Sequence, residues 1–393
     1  MTTRLSGRVP ELPDEGDFTS RLRSPAVTAR IGLWLGVCFA TAFVTGLVSH
    51  WAQVPTPWLP FPTSPSWGYR VTQGLHVVSG TAAVPLLLVK LWTVYPKLLA
   101  RPPRRSRELL VHGAERVSIA VLVAAAIFQL STGLANAAQW YPWHFDFRPT
   151  HYALAWVAVG ALVVHVAVKL PVIRGALATP LDDGGQDRPT MSTAPGVLTR
   201  RGLLRTTWAA AGVAVLATAG ATVPLLRKAS VLGVRSGTGP GGVPVNHSAV
   251  YRGVVVAATS PAYRLVVTYG AHRVALWLAD LRAMPQTTAS LPIACVEGWS
   301  AGATWTGVAV RDLLDLVDAP PGSVVEVASL QQHGGERVST LAGNYSDHPH
   351  TLLALDLEGE PLSLDHGFPC RLIAPDRPGV LQTKWVGGLT VTS

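Results

Sequence analysis

With 393 residues, the chain has room for two or three domains. Hydrophobic residues make up 48% and charged residues only 14%, which excludes a single soluble domain with an ordinary solvated surface. Three cysteines exclude a disulfide-rich scaffold, and the net charge of +9 is concentrated in short loops, giving no case for nucleic-acid binding.

Residues 1–30 are rich in Pro, Asp and Glu, lack a cleavable-signal pattern, and read as a flexible cytoplasmic tail. Five long apolar runs follow, all before Leu226: approximately Ile31 to His50, Val71 to Tyr95, Val111 to Ala135, His151 to Val172 and Leu203 to Leu226. A spanning helix needs about 20 apolar residues, so these predict an all-α transmembrane bundle. Its parts are a four-span membrane domain over residues 31–175, a cytoplasmic linker over 176–202 and a fifth anchoring span over 203–228.

Basic residues set the expected orientation. Arg21, Arg23 and Arg30 precede the first span; Lys97, Arg101, Arg104, Arg105 and Arg107 separate the second from the third; Lys169, Arg174, Arg200, Arg201 and Arg205 separate the fourth from the fifth. The loops from Trp51 to Arg70 and from Gln139 to Thr150 carry aromatic residues and little charge, with Trp51, Trp140, Tyr141 and Trp143 expected in an interfacial belt. The positive-inside rule then predicts a multi-pass cell-membrane protein with a cytoplasmic N-terminus and an extracytoplasmic C-terminal domain.

Histidines within spans are costly and point to function. His151 and His165 are fourteen residues apart, roughly 21 Å along a helix and nearly in register on one face, which suits two stacked b-type hemes. His76 in the second span is the expected partner of His151, and His112 at the start of the third is the available partner of His165; His50 and His144 are alternatives for the ligand at His151. This arrangement resembles the four-helix diheme cytochrome b subunits of formate dehydrogenases and hydrogenases, although the first span lacks a histidine at its cytoplasmic end. The resemblance implies two b hemes and exchange with membrane quinone.

Before the fifth span stands Thr199-Arg200-Arg201-Gly202-Leu203-Leu204-Arg205, then an Ala-rich apolar run. It resembles a twin-arginine export signal, implying the twin-arginine translocase as a partner; the alternative is a topogenic charge cluster. Residues 229–242, with Gly237 to Gly242, Thr238 and Pro240, read as a flexible linker.

The remaining segment, 243–393, contains Cys295-Val296-Glu297-Gly298-Trp299-Ser300, then Trp305-Thr306-Gly307-Val308 and Asp312-Leu313-Leu314. A thiol before a turn glycine and two tryptophans, in a cysteine-poor chain, suggests a thiolate held for a soft metal. Further along come Leu352-Leu353-Ala354, Gly359-Glu360-Pro361-Leu362, His366-Gly367-Phe368-Pro369, Arg371-Leu372 and Lys384-Trp385-Val386. This ordered set resembles the molybdopterin-binding domain of the sulfite oxidase family, in its bacterial periplasmic branch. The resemblance implies an α+β domain in which Cys295 binds molybdenum, while His366, Arg371, Lys384 and Asn246 hold the pterin and its phosphate. A Cys295 to Cys370 disulfide is the rival reading, and Cys38 reads as packing.

Together these predict a membrane-bound molybdopterin-dependent oxidoreductase that passes electrons from quinol through the hemes to an oxo-transfer substrate such as a sulfoxide. Reduction is favoured because the chain ends at Ser393 without the added dimerisation domain of sulfite oxidases, and because no arginine adjoins Cys295 to attract an oxyanion. Arg273 and Arg337 are the residues that would change that if they reach the pocket. The alternatives are a sulfite-type dehydrogenase, or a metal-free binding domain suggested by the unusual Gln331-Gln332-His333-Gly334 loop.

Overall fold

The computed structural model describes residues 14–54, 61–99, 106–192, 194, 196–233, 239–334 and 337–392. Residues 1–13 of the expected tail, Arg101, Arg104 and Arg105 of the basic loop, residues 234–238 of the expected linker, and Ser393 lie outside the described residues.

Five helices among the described residues are long and apolar enough to cross a membrane: α1 (Pro25–Gln53), α2 (Gly68–Val94), α3 (Ser106–Ala137), α4 (Phe147–Ala178) and α5 (Arg200–Thr218). Each contains one of the apolar runs, except that the second run ends one residue past α2, at Tyr95, and the fifth run outlasts its helix. Regular α-helix stops at Thr218, and short 3-10 turns at Ala219–Ala221 and Pro224–Leu226 carry the chain on. Gly220 packs so closely on Ser230 that a side chain there would collide, and Pro224 cannot donate to a continuing helix.

The chain divides into two compact units. The first comprises residues 1–43, 79–134 and 143–215. Its core joins Val27, Ile31 and Cys38 of α1 to Ala83 and Leu86 of α2. Polar groups are absorbed locally: Arg30 donates to the carbonyls of Ala26, Ala176, Leu177 and Thr179, Lys90 donates to Thr28 O at 2.9 Å, and Lys169 pairs with Glu115. Residues 14–24, expected as tail, form two short 3-10 turns. Arg188 bonds Glu15 O and Phe18 O, and Arg23 stacks on Trp92 at 4.3 Å.

The second unit holds residues 44–78, 135–142 and 216–393. It is built on two five-stranded sheets. The first takes β1 (Leu265–Tyr269), β2 (His272–Leu276), β5 (Val325–Ser329), β6 (Val338–Leu341) and β10 (Val386–Val391) in the order β2-β1-β10-β5-β6. Only β1 and β10 run parallel within it. The second contains β3 (Thr287–Ala294), β4 (Ser300–Ala309), β7 (Leu352–Leu357) and β8 (Glu360–Pro361) in that order, with β9 (Arg371–Ile373) also paired to β7. Short helices at Val255–Thr259, Leu278–Ala283, Val310–Asp315 and Gly343–Ser346 complete an α+β domain.

Alternation explains the packing. In β3, Ala289, Leu291 and Ile293 face inward at period two and meet Trp305 and Ala303 of β4. Trp305 is fully buried, and its indole N–H donates to Leu291 O at 3.3 Å. The β3/β4 hairpin closes at Ala294 opposite Ser300, which leaves residues 295–299 as a turn at the sheet's end.

Candidate active site

Cys295 begins that turn. Its N–H donates to Trp299 O at 2.9 Å, and Gly298 N donates back to Cys295 O at 3.0 Å. Gly298 has φ +85°, a left-handed conformation that glycine adopts without strain. The Cys295 thiol is buried and directed at the Glu297 carboxylate, with Sγ and Oε2 3.8 Å apart; the Trp299 indole N–H donates to the same oxygen at 3.2 Å. Burial, reinforced by the Glu297 charge, pushes the Cys295 thiol up to about 12. Burial likewise raises Glu297 above the usual carboxylate range. The thiol therefore rests protonated, and a cation at Sγ is needed to hold it as thiolate.

Arg371 and Lys384 supply positive charge within electrostatic range of Cys295. Arg371 opens β9 and is 4% exposed; Nη1 donates to His366 O at 3.4 Å, the guanidinium lies 5.5 Å from the Trp305 ring centroid, and Nε has no partner. Lys384 Nζ donates to Asp365 O at 2.8 Å and His247 O at 3.1 Å. Neither cation has an ion-pair partner among the described residues. Burial lowers Arg371 to about 10, and burial with the Arg371 charge lowers Lys384 to about 7. An uncompensated buried charge costs on the order of several kcal/mol, so this pair fits an anionic ligand.

His366 is fully buried in the turn Leu364–His366. Nε2 lies 2.9 Å from Val243 O and Nδ1 2.9 Å from Ser363 Oγ, so both ring nitrogens are engaged inside the protein. Because a carbonyl only accepts, Nε2 carries the proton and Nδ1 accepts from the hydroxyl. Burial lowers the ring to about 4. Asn246, by contrast, is exposed and its side-chain oxygen accepts from His247 N at 2.9 Å, next to the carbonyl that holds Lys384.

One residue the sequence reading missed is Arg252. Its side chain is buried, donates to His333 O at 3.0 Å and adds to the positive field on Lys384. The Gln331–Gly334 loop is thereby accounted for as its support. Arg273 sits exposed on edge strand β2 and Arg337 is exposed beside β6, so neither joins the Cys295 group. All three cysteines are free; Cys370 lies in the other core cluster, 3.1 Å from the Tyr263 hydroxyl, and the alternative of a Cys295 disulfide is not realised.

The histidines of the helices differ in how their surroundings engage them. His151 on α4 lies against α3: Gln129 Nε2 donates to its carbonyl at 2.9 Å, and Thr132 Oγ1 is 3.5 Å from Nδ1. Gly46 of α1 adjoins the His76 ring, where an added Cβ would meet Cε1 at 3.1 Å. His112 Nε2 is buried with no hydrogen-bond partner among the described residues. His165 lies on α4 within electrostatic range of Lys90, Lys169 and Glu115.

Residues 252–393 match the oxidoreductase molybdopterin binding domain family. The chain is similar to the sulfite oxidase of Arabidopsis thaliana, 26% identical over 149 residues covering 30% of this chain and 38% of that protein. It is similar to the putative protein-methionine-sulfoxide reductase subunit YedZ1 of Azospira oryzae, 32% identical over 117 residues covering 30% and 43%. A third relative is the protein-methionine-sulfoxide reductase catalytic subunit MsrP of Xanthomonas campestris pv. campestris, 35% identical over 103 residues covering 23% and 32%. The chain thus spans between 32% and 43% of the length of these relatives.

Proposed function

Because residues 252–393 form an oxidoreductase molybdopterin-binding domain of the sulfite oxidase type, we propose that the chain is a membrane-bound molybdenum oxidoreductase. It passes electrons from membrane quinol through two b hemes to the pterin site, where an oxo-transfer substrate such as a sulfoxide is reduced. The observation that carries this reading is a buried thiol, Cys295, sharing its surroundings with the buried Arg371 and the half-buried Lys384, neither of which has a counter-ion among the described residues.

In this reading Cys295, as the thiolate, would ligate the metal, and Arg371 and Lys384 would hold the anionic part of the pterin. Arg371 brings a free Nε donor suited to a phosphate or ring oxygen. His366 fixes the chain at Val243 and Ser363, so that its carbonyl stays aimed at Arg371. When bound, the molybdenum cofactor supplies two-electron oxygen-atom transfer while exchanging electrons singly with heme. His76 and His151 are assigned to one heme, His112 and His165 to the other; the partnerless buried Nε2 of His112 supports the second pair. The five apolar helices support membrane association, and the loop charges support a cytoplasmic N-terminus with the catalytic domain outside.

Reduction is favoured over oxidation by two things. Two of the relatives carry methionine-sulfoxide reductase names. Arg273 and Arg337, the extra cations an oxyanion substrate would want, lie exposed and apart from Cys295. The second reading, a sulfite-type dehydrogenase sending electrons to quinone, rests on the similarity to sulfite oxidase. Membranes holding the dithionite-reduced protein decide between them. Reoxidation of b heme by a sulfoxide supports the reductase; reduction of oxidised heme by sulfite, with no response to sulfoxides or N-oxides, selects the dehydrogenase. Purified protein with neither molybdenum nor heme returns the metal-free binding domain.

A further inference from the structure

Resting on the reading that Cys295 binds molybdenum, we infer that the C-terminal end of α3 is a positioning latch for the Cys295 turn, with Asn136 as its principal residue. Residues 135–142 belong to the same compact unit as the oxidoreductase domain. They meet three successive positions of the turn. Asn136 Nδ2 donates to Val296 O at 2.9 Å, Gln139 Nε2 reaches Glu297 Oε2 at 3.4 Å, and Ala137 covers Gly298, where an added Cβ would lie 3.5 Å from its methyl.

The Asn136 amide is oriented from its other side. The Tyr141 hydroxyl donates to Asn136 Oδ1 at 3.1 Å, which leaves Nδ2 as the end that must face Val296. Asn136 is itself buried. The hairpin does not depend on these contacts to close, since Cys295 and Trp299, and Gly298 and Cys295, already bond to each other. What those two bonds leave undetermined is the direction of the Val296 carbonyl, which Asn136 sets, while the Glu297 carboxylate, held at 3.2 Å by the Trp299 indole, takes its second donor from Gln139. Both flank Cys295, and the carboxylate lies 3.8 Å from Sγ. Fixing them fixes the direction from which the thiolate meets its metal, as groups bonded to a ligand's neighbours commonly do.

The test uses the full-length protein in membranes and reads the Mo(V) paramagnetic signal alongside steady-state kinetics. Asn136→Ala and Asn136→Asp both lose the donor to Val296 and should shift that signal, with kcat lower by about tenfold and KM within about twofold. Tyr141→Phe should shift it less and in the same direction. Asn344→Ala serves as control, because Asn344 donates to Phe61 O at 2.9 Å in the same unit and makes no side-chain hydrogen bond to residues 295–299; its signal should match wild type. Wild-type signals in all three latch variants overturn the inference, as does an equal shift from Asn344→Ala. If Asn136→Ala fails to load molybdenum, Asn136→Asp and Tyr141→Phe decide on the same criterion. A wild-type protein with no Mo(V) signal would fail at the parent reading, a separate result from an unshifted one.

Discussion

The Asp376 carboxylate caps the start of α2: Oδ1 accepts the backbone N–H of Tyr69 at 2.5 Å, across 307 positions of sequence. Its second oxygen, Oδ2, is buried without a partner among the described residues, and Gly68 leaves it room where a Cβ would stand 2.7 Å away. Around the contact, Tyr69, Phe61 and Ala52 pack with Ala294, the residue before Cys295.

Burial raises Asp376 from 3.8 to about 6, against the lowering effect of the Tyr69 bond. A raised folded-state value means that the protonated form is preferred on folding, so its contribution is present below 3.8 and is lost as pH rises through about 6. Asp376→Asn keeps an acceptor for Tyr69 and removes the ionisation. Thermal unfolding of the detergent-solubilised protein should therefore show the variant more stable by about 1–2 kcal/mol at pH 7.5 and equal to wild type near pH 4. A variant less stable at both pH values would show that the ionised carboxylate is the preferred cap.

Cys295→Ser should preserve the fold, because the turn is held by backbone bonds that do not involve Sγ. Turnover should fall by more than the roughly 10–100-fold typical of changes around a ligand, and the Mo(V) signal should change, since a hydroxyl is a poorer donor to this metal. Full activity with an unaltered signal removes Cys295 from the metal.

The heme assignments separate by spectrum. His76→Ala and His165→Ala should each remove about half of the reduced b-type absorbance if two sites bind independently. His151→Ala should resemble His76→Ala, which examines the pairing as well as the heme content. A wild-type spectrum corresponding to one heme places the error at the His112 and His165 pair, and no b-type spectrum at all ends the electron-transfer reading.

Arg200 is buried at the start of α5, donating to Leu181 O and Asp183 O and pairing with Asp187, while the more exposed Arg201 pairs with Asp182 at 2.9 Å. Changing both to Lys keeps the positive charge and removes the planar donor set. If the twin-arginine route is used, hemes should still be incorporated while the domain after Ser230 stays inside, protected from protease added to spheroplasts. Equal cleavage of wild type and variant would assign the pair to topology alone. A thermal scan of the variant reports separately on the lost Arg200 contacts.

Much of the candidate site could be read from residues that are close in sequence. Cys295 with its glycine turn, and the Arg371 and Lys384 pair, lie in compact motifs, and the five helices follow from the lengths of their apolar runs. The role of His366 could not be read in that way, because Val243, 123 positions away, meets its ring only on folding and, with the nearby Ser363, occupies both ring nitrogens. Arg252 was invisible for a similar reason, since it is held by a carbonyl 81 positions away. Asn136, Tyr141 and Asp376 belong to no periodic pattern. A polar residue at the end of a span looks like interface until the turn that receives its hydrogen bond is known.

The capping of α2 by Asp376 and the bond from Asn136 to Val296 also bear on the order of assembly. If the twin-arginine route is used, the oxidoreductase domain would cross already folded, whereas the segments containing Tyr69 and Asn136 would reach the far side with the earlier helices. Asp376, Ala294 and the Val296 carbonyl would then be open to water during transit. Docking after release would be the step that dehydrates them, so the catalytic turn would take its final shape last, outside the cell.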